Sequence, residues 1–118
     1  MIEGQEGVTW EQWVALAEAC EEHGLEGLFR SDHYLSTIGD AQKPCLDAWA
    51  TLTALGTQTQ RIRLGTLVSP ATFRHPSELA KVAVTADHTS GGNGNPNAAC
   101  SRSFQPAPSP SSTRPPEM

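Results

Sequence analysis

The apolar positions of residues 1–92 repeat with two different periods, which alternate along the chain. The first helical face carries four apolar residues spaced three and four positions apart: Trp13, Leu16, Ala17 and Cys20. Thr9 and Gln12 precede this face in the arrangement of a capping box, and Gly24 is a suitable residue just beyond a helix end. The pattern therefore predicts an amphipathic helix that begins after Thr9 and ends at Gly24.

Strand-like segments precede this helix and two later helix-like segments. The predicted strands cover residues 1–5, 25–31 and 61–68. The two later helices run from Asp47, which can cap its helix, to about Gln58 and from Pro76 to about Gly91. Alternation is clearest in the third strand, where every second residue from Ile62 to Val68 falls on one side. This order predicts parallel strands joined by helices that cross the sheet.

The glycine pattern narrows the choice among α/β folds. Neither G-x-G-x-x-G nor G-x-x-x-x-G-K-[ST] occurs, so a Rossmann fold and a P-loop lose support. The other common fold with this alternation is the (β/α)8 barrel, whose active sites lie at the C-terminal ends of the strands. Asp32 and His33 end one predicted strand and residues 67–70 end another. We therefore expect an α/β fold that comprises about the first three units of a (β/α)8 barrel.

Composition changes at about Gly92. Residues 93–118 hold six of the nine prolines and contain no Val, Ile or Leu. Ordering a backbone costs about 1–2 kcal/mol per residue, which a segment with so few apolar side chains does not offset. We expect residues 1–92 to fold as one domain and residues 93–118 to form a disordered Pro/Ser-rich tail.

Charge and cysteine usage exclude several classes of function. Eight Lys and Arg stand against thirteen Asp and Glu, so the chain has no basic stripe for nucleic acid or an anionic membrane. No apolar run is long enough to cross a bilayer and the start lacks a secretory pattern, so we expect a cytoplasmic protein. The three cysteines form no C-x-x-C pair and the histidines no H-x-x-x-H pair, so no metal site is expected.

Two segments resemble the luciferase-like monooxygenases and their relatives that use a deazaflavin coenzyme in place of FMN. They are EGVTWEQWVALAEACEEHGLEGLFRSDHY, where a strand ends in SDH, and RIRLGTLVSPATFRHPSELAKVAVTADHTSGG. The spelling G-T-x-V-x-P-x-T-x-R-x-P from Gly65 to Pro76 is the more specific motif. The resemblance implies a (β/α)8 barrel that holds FMN or a deazaflavin over the C-terminal strand ends. There it would transfer hydride or activate dioxygen for a small-molecule substrate.

The resemblance also implies roles for individual residues. Asp32 would lie at the polar edge of the coenzyme ring, and His33 would face the substrate as a proton donor or acceptor. Thr66, Leu67 and Val68 would contact the ring. The Leu67–Val68 link matches a family position where a non-prolyl cis peptide supports the rear face of the ring.

Two residues bear on whether the substrate carries a phosphate. In relatives that oxidise a sugar phosphate, a tryptophan follows the histidine by four positions, whereas this chain has Thr37 there. Arg74 is expected to be an exposed loop residue rather than a phosphate contact, because arginines in loops are mostly exposed. The sequence therefore does not favour a sugar phosphate.

The resemblance stops at residue 92, whereas a full barrel needs about 250 residues. We expect a truncated gene product, inactive by itself, whose residues 93–118 are read from a shifted frame. Unpaired sheet edges in such a product would favour self-association. The alternative is a non-enzymatic remnant or interaction module that another chain completes.

Overall fold

The structure is a computed structural model that describes residues 1–91, so the predicted tail, residues 93–118, lies outside the described residues. The elements are a 3-10 turn at Gly4–Glu6, helix α1 at Trp10–Glu22, strand β1 at Gly27–Arg30, helix α2 at Ala48–Gly56, strand β2 at Arg63–Thr66 and helix α3 at Pro76–Thr89. The chain is thus a mixed α/β structure, as the alternating pattern predicted.

Strands β1 and β2 pair in parallel, with Leu28 opposite Leu64 and Arg30 opposite Thr66. Helix α2 lies between them in the chain and crosses the sheet, because parallel neighbours need a long connection. The parallel arrangement confirms the prediction from the strand and helix order. Its consequence is that the C-terminal ends of both strands meet at one edge of the molecule.

The predicted first strand, residues 1–5, is wrong in its extent. Only Ile2 joins the sheet, through a single parallel bridge to Arg30. Its N–H donates to the Phe29 carbonyl at 2.8 Å, and its own carbonyl accepts from the Ser31 N–H at 3.0 Å. The strand stops there because the backbone turns at Gly4, which lies against the buried Arg30 side chain.

The helix ends follow the local signals in the sequence. The Thr9–Gln12 capping box forms, with the Thr9 N–H 2.9 Å from Gln12 Oε1 and the Gln12 N–H 3.3 Å from Thr9 Oγ1. Gly24 has a φ of 72°, as expected just beyond a helix end. Asp47 accepts the Ala50 N–H at 2.8 Å and so caps α2, as predicted. None of the helices within residues 1–91 is both long enough and apolar enough to cross a bilayer.

One continuous apolar core joins α1, α2 and a single face of the sheet. Its buried members are Trp13, Ala17, Cys20, Leu28, Leu52, Leu55, Ile62 and Leu64. Ile62 and Leu64, which the alternation placed on one side of the third predicted strand, are buried, whereas Val68 is 62% exposed. The predicted extent of that strand, residues 61–68, is too long, because β2 ends at Thr66.

Glu21 connects the end of α1 to the start of β2. Its Oε1 accepts the N–H groups of Gln60, Arg61 and Ile62 at 3.0, 2.8 and 2.9 Å. Burial by itself would raise the pKa of Glu21, but these hydrogen bonds and the charge of Arg61 outweigh it, so the pKa lies below its ordinary value. The ionised carboxylate therefore stabilises the fold.

We expect Glu21→Gln to lower the free energy of unfolding at pH 7 by about 1 kcal/mol, because hydrogen bonds to a charged group are stronger than those to an amide. A lowered pKa in the folded state gives stability that is present above the unfolded value of about 4.3 and is lost as the pH falls through the folded value. Urea unfolding measured from pH 7 to pH 3 should show that the free energies of unfolding of the wild type and of Glu21→Gln converge as the pH falls. Glu22→Gln changes an exposed neighbour and is the control. A difference that persists at pH 3 would contradict the prediction.

Gly4 is required by its close approach to Arg30. A Cβ at this position would lie 2.5 Å from Arg30 Nη2 and 2.7 Å from Arg30 Cζ, in a guanidinium that is fully buried and cannot move aside. We expect Gly4→Ala to destabilise the fold by about 1–3 kcal/mol, as other overpacking substitutions do. Gly39→Ala is the matched control, because its nearest contacts are the ends of the Ser36 and Lys43 side chains. Thermal unfolding in which both variants match the wild type would refute the clash.

Candidate active site

A polar cluster lies where the C-terminal ends of β1 and β2 meet. We call it the strand-end cluster, and its members are Asp32, Asp47, Trp49, Thr66, Ser69 and Arg74. Asp32 follows β1, Thr66 is the last residue of β2, Ser69 and Arg74 follow β2, and Asp47 and Trp49 lie at the start of α2. Because parallel strands end at the same edge of a sheet, residues distant in sequence converge there.

Asp32 and Arg74 form the centre of the strand-end cluster. The Asp32 side chain is 1% exposed and the Arg74 side chain 11% exposed. Arg74 Nη1 donates to Asp32 Oδ2, and Arg74 Nη2 donates to Asp32 Oδ1 at 3.1 Å and to Asp47 Oδ2 at 2.7 Å. The prediction that Arg74 is an exposed loop residue is therefore wrong, because two carboxylates draw its guanidinium inward.

Ser69 links Asp32 to the rest of the cluster. Its Oγ lies 2.8 Å from Asp32 Oδ2, 3.0 Å from Thr66 Oγ1 and 3.0 Å from Trp49 Nε1. The carboxylate can only accept, so the single hydroxyl proton of Ser69 goes to Asp32. Thr66 must then donate to Ser69, as the Trp49 N–H does. The directions of the two hydroxyl hydrogen bonds, from Thr66 to Ser69 and from Ser69 to Asp32, therefore follow from the acceptor-only carboxylate.

The electrostatics of the cluster favour the ionised state of Arg74. Burial by itself would lower the pKa of Arg74, but the hydrogen bonds and negative charges of Asp32 and Asp47 outweigh it and raise the pKa above its ordinary value. The guanidinium is therefore occupied by two carboxylates. It is not free to bind a phosphate group.

His33 lies beside Asp32 but outside its hydrogen bonds. The imidazole is half-buried and makes no hydrogen bond within residues 1–91, while the His33 carbonyl accepts from Cys45 Sγ at 3.2 Å. The Ser31 hydroxyl donates to Gln5 Oε1 rather than to the imidazole of His33. Ser31, Asp32 and His33 therefore do not form a catalytic Ser–His–Asp triad. The titratable ring of His33 is thus available to a ligand. No group of three or more His, Cys, Asp or Glu in the described range could hold a metal ion.

The backbone after β2 presents an apolar surface next to the cluster. The Leu67–Val68 peptide bond is cis, as the sequence resemblance implied. The Leu67 N–H donates to the Arg30 carbonyl at 2.9 Å, which continues the pairing with β1. Leu67 is 50% and Val68 62% exposed, so both side chains are accessible.

An aromatic pair borders the same edge. The rings of Tyr34 and Phe73 stack with centroids 4.9 Å apart and planes inclined by 17°. Arg74 Cζ lies 5.4 Å from the centre of the Tyr34 ring. The loops after β1 and β2 therefore contact each other through this pair as well as through the Asp32–Arg74 ion pair.

Arg30 stabilises the segments that carry the site through hydrogen bonds of its side chain. Its buried guanidinium donates to the Ser31 carbonyl at 3.2 Å, to Thr51 Oγ1 at 2.9 Å and to the Leu46 carbonyl at 2.9 Å, and it lies 4.9 Å from the centre of the Trp13 ring. Burial lowers the pKa of Arg30. These bonds tie the end of β1 to α2 and to the segment before it.

Sequence reasoning identified some members of the site and missed others. It singled out Asp32, Thr66 and His33, and the structure brings Asp32 and Thr66 together through Ser69. It did not identify Ser69 or Trp49 as members, and it treated Asp47 as a helix cap only. The arginine of the G-T-x-V-x-P-x-T-x-R-x-P motif was the available signal for Arg74, since it lies in the loop after β2, at the same edge of the sheet as the end of β1.

Comparisons with known proteins extend these observations. Residues 2–93 match the model of a family described as luciferase-like monooxygenase. An F420-dependent glucose-6-phosphate dehydrogenase of Rhodococcus hoagii is 39% identical over 74 residues, which are 61% of this chain and 21% of that protein. An enzyme with the same description from Nakamurella multipartita is 42% identical over 72 residues, covering 59% of this chain and 21% of that protein.

A further relative has a different activity in its name. A 4-hydroxyprotoasukamycin monooxygenase of Streptomyces nodosus subsp. asukaensis is 35% identical over 79 residues, which are 67% of this chain and 20% of that protein. The chain thus spans about a fifth of the length of the curated relatives it matches.

Proposed function

Because this chain belongs to the luciferase-like monooxygenase family, we propose that the strand-end cluster is part of a deazaflavin-binding site of an oxidoreductase. The parent reaction is hydride transfer or monooxygenation, carried out at the C-terminal strand ends of a (β/α)8 barrel whose first units are residues 1–92. The observation that carries the proposal is the buried, ion-paired Asp32 beside the exposed Leu67–Val68 surface.

The chemistry of these groups suits a flavin-type ring, which has apolar faces and one polar edge. Leu67 and Val68 offer an accessible apolar surface for a face of the ring, and the polar strand-end cluster around Asp32 would lie beside the edge of the ring. His33 has an imidazole free to give or take a proton at the substrate. A bound coenzyme would supply the electron transfer, and these residues would orient it and handle the proton.

The names of the relatives favour a deazaflavin over FMN. Two of the three relatives described above are named as F420-dependent enzymes, and F420 is a deazaflavin coenzyme. FMN is the alternative coenzyme. The proposed site residues within 1–91 contact only the ring, and FMN and F420 have closely similar rings. The experiment below therefore uses both.

The substrate proposed here is a small organic molecule without a phosphate. Thr37 occupies the place of the tryptophan found in relatives that oxidise a sugar phosphate. Arg74, the cation of the strand-end cluster, is already bound by Asp32 and Asp47. A phosphate at this edge would meet those two carboxylates rather than a free positive charge.

The test is a titration of the full 118-residue chain with F420 and, separately, with FMN, followed by visible absorbance. Binding with a micromolar dissociation constant and a spectral shift is the expected result for F420, with weaker binding of FMN. Val68→Asp puts a charge on the apolar surface and is the variant expected to weaken binding, and Val84→Asp, which changes an exposed residue of α3, is its matched control. The proposal is wrong if neither coenzyme changes its spectrum at millimolar protein.

A second candidate function is that of an interaction module completed by another chain. Within residues 1–91, β2 pairs along one edge only, and its other edge keeps free N–H and C=O groups. Such an edge pairs readily with a further strand. Sedimentation velocity over a hundredfold concentration range is expected to show self-association if β2 pairs with a second copy of this chain, and a monomer throughout would remove that form of the candidate.

A further inference from the structure

We propose that residues 34–43, called here the 34–43 loop, form a lid over the Arg74 side of the strand-end cluster, and that Glu6 is the latch that holds this lid closed. The inference concerns access to the cluster, and it holds whatever ligand the cluster binds. Three sets of contacts carry it: those at the base of the loop, those at Glu6 and those over Arg74.

The 34–43 loop is closed at its base and is not held by the apolar core. Cys45 Sγ donates to the His33 carbonyl at 3.2 Å, which brings the two ends of the loop together. Between these ends the chain forms no helix or strand, and no residue from 34 to 46 is buried. Segments with few buried apolar contacts open at low free energy, and compact surface loops with close ends are frequently functional. The closed position of the loop therefore depends on a few side-chain contacts.

Glu6, at the end of the 3-10 turn before α1, makes the polar contacts that hold the loop. Ser36 Oγ lies 2.8 Å from each Glu6 carboxylate oxygen, and Lys43 Nζ lies 3.2 Å from Glu6 Oε2. The hydroxyl comes from the first half of the loop and the ammonium from its last residue. One carboxylate on the body of the protein thus binds both halves of the loop.

The charge of Glu6 strengthens this latch. The hydrogen bond from Ser36 lowers the pKa of Glu6 more than burial raises it, and Lys43 lowers the pKa further. Glu6 is therefore ionised at neutral pH, and hydrogen bonds to an ionised acceptor are stronger than those to a neutral one. The loop backbone also approaches the latch closely, since a Cβ on Gly39 would lie 3.2 Å from Ser36 Oγ and 3.3 Å from Lys43 Nζ.

Tyr34, the first residue of the loop, covers the cation of the strand-end cluster. Its ring stacks on Phe73 with centroids 4.9 Å apart, and Arg74 Cζ lies 5.4 Å from its centre. The Arg74 side chain is 11% exposed, and it pairs with Asp32, which is 1% exposed. The tyrosine ring is one of the groups that keep Arg74 from solvent. Release of the loop would therefore expose the guanidinium.

The alternative role for Glu6 is to stabilise the whole fold. The 3-10 turn follows Ile2, which joins the sheet through its bridge to Arg30. If Glu6 mainly held this turn in place, its loss would loosen α1 and β1 as much as the loop. A latch, in contrast, affects the loop and the side chain beneath it and leaves the core elements unchanged.

The first experiment compares amide hydrogen exchange, measured by mass spectrometry, in the full 118-residue chain and in Glu6→Gln, which removes the charge and keeps the size of the side chain. We expect exchange within residues 34–43 to become about tenfold faster, because two hydrogen bonds lose their charged acceptor, while α1 and β1 change by less than about twofold. Glu22→Gln changes an exposed glutamate of α1 and is the matched control, which should leave the loop at the wild-type rate.

The second experiment tests whether the loop covers the cluster, by labelling arginine side chains with phenylglyoxal in the same three proteins. Arg74 should react about fivefold faster in Glu6→Gln than in the wild type, because opening of the loop uncovers its guanidinium. Arg63 is exposed in the closed state, so its rate should not change and serves as the internal reference.

Each outcome supports or overturns one part of the inference. Unchanged exchange within the loop of Glu6→Gln overturns the latch, and an equal rise in α1 and β1 overturns it by assigning Glu6 to the whole fold. Faster exchange in the loop with unchanged labelling of Arg74 overturns the lid. If Glu6→Gln fails to fold by circular dichroism, Ser36→Ala combined with Lys43→Met removes the same contacts from the side of the loop, and the same criteria apply.

Discussion

Replacing Asp32 with asparagine is expected to lower the free energy of unfolding by about 3 kcal/mol, the low end of the cost of breaking a buried ion pair. The substitution leaves the guanidinium of Arg74, 11% exposed, beside an amide whose NH2 group is itself a donor. Ser69 also loses the charged acceptor of its hydroxyl proton. The cost lies at the low end because Arg74 keeps Asp47 as a partner.

The measurement is urea unfolding at pH 7 followed by tryptophan fluorescence and circular dichroism. Asp47→Asn is the matched control, since asparagine still caps α2 and only the more exposed partner of Arg74 is lost, for an expected cost below about 1 kcal/mol. If Asp32→Asn and Asp47→Asn cost the same, the pairing with Asp32 does not have the importance assigned to it here.

Replacing Trp13 with alanine is expected to destabilise the chain by about 3–5 kcal/mol, the usual range for truncating a buried aromatic residue. Trp13 is fully buried at the centre of the apolar core, and its ring lies against the guanidinium of Arg30. Truncation would leave a cavity under α1 and remove that cation–π contact. A loss of this size is comparable to the whole stability of a small domain, so unfolded protein should be detectable at 25 °C.

Trp13→Phe is the informative companion substitution. Trp13 Nε1 is buried without a hydrogen-bond partner within the described residues, so phenylalanine keeps much of the apolar contact and removes an unpaired donor. We expect a cost of about 1 kcal/mol or less, measured by thermal unfolding. Equal destabilisation by Trp13→Phe and Trp13→Ala would show that the indole ring is needed for more than its apolar surface.

The elements that the sequence predicted well are those specified by neighbouring residues. A capping box joins residues three positions apart, so the hydrogen bonds between Thr9 and Gln12 depend only on the local start of the helix. Gly24 and Asp47 mark helix ends for the same reason. The predicted first strand is too long because the backbone turns at Gly4, which lies against the side chain of Arg30, a residue distant in sequence.

The candidate site was predictable only in part. Asp32, Leu67 and Val68 were predicted from the resemblance of the sequence to a known family. The Leu67–Val68 peptide bond is cis, as that resemblance implied. The partner of Asp32 was not identified. Arg74 looked like an ordinary loop arginine because nothing within its own segment accepts its hydrogen bonds.

The sequence by itself determined the helices, the parallel strand order and the edge at which chemistry is expected, because periodicity and caps act over a few residues. Tertiary structure decided which polar groups meet at that edge. Asp32, Asp47 and Arg74 are brought together across 42 residues of chain, as the Arg74–Asp32 separation shows, and there the buried Asp32 carboxylate and the Arg74 guanidinium pair with each other. That pairing depends on how the loops pack, which no local pattern encodes.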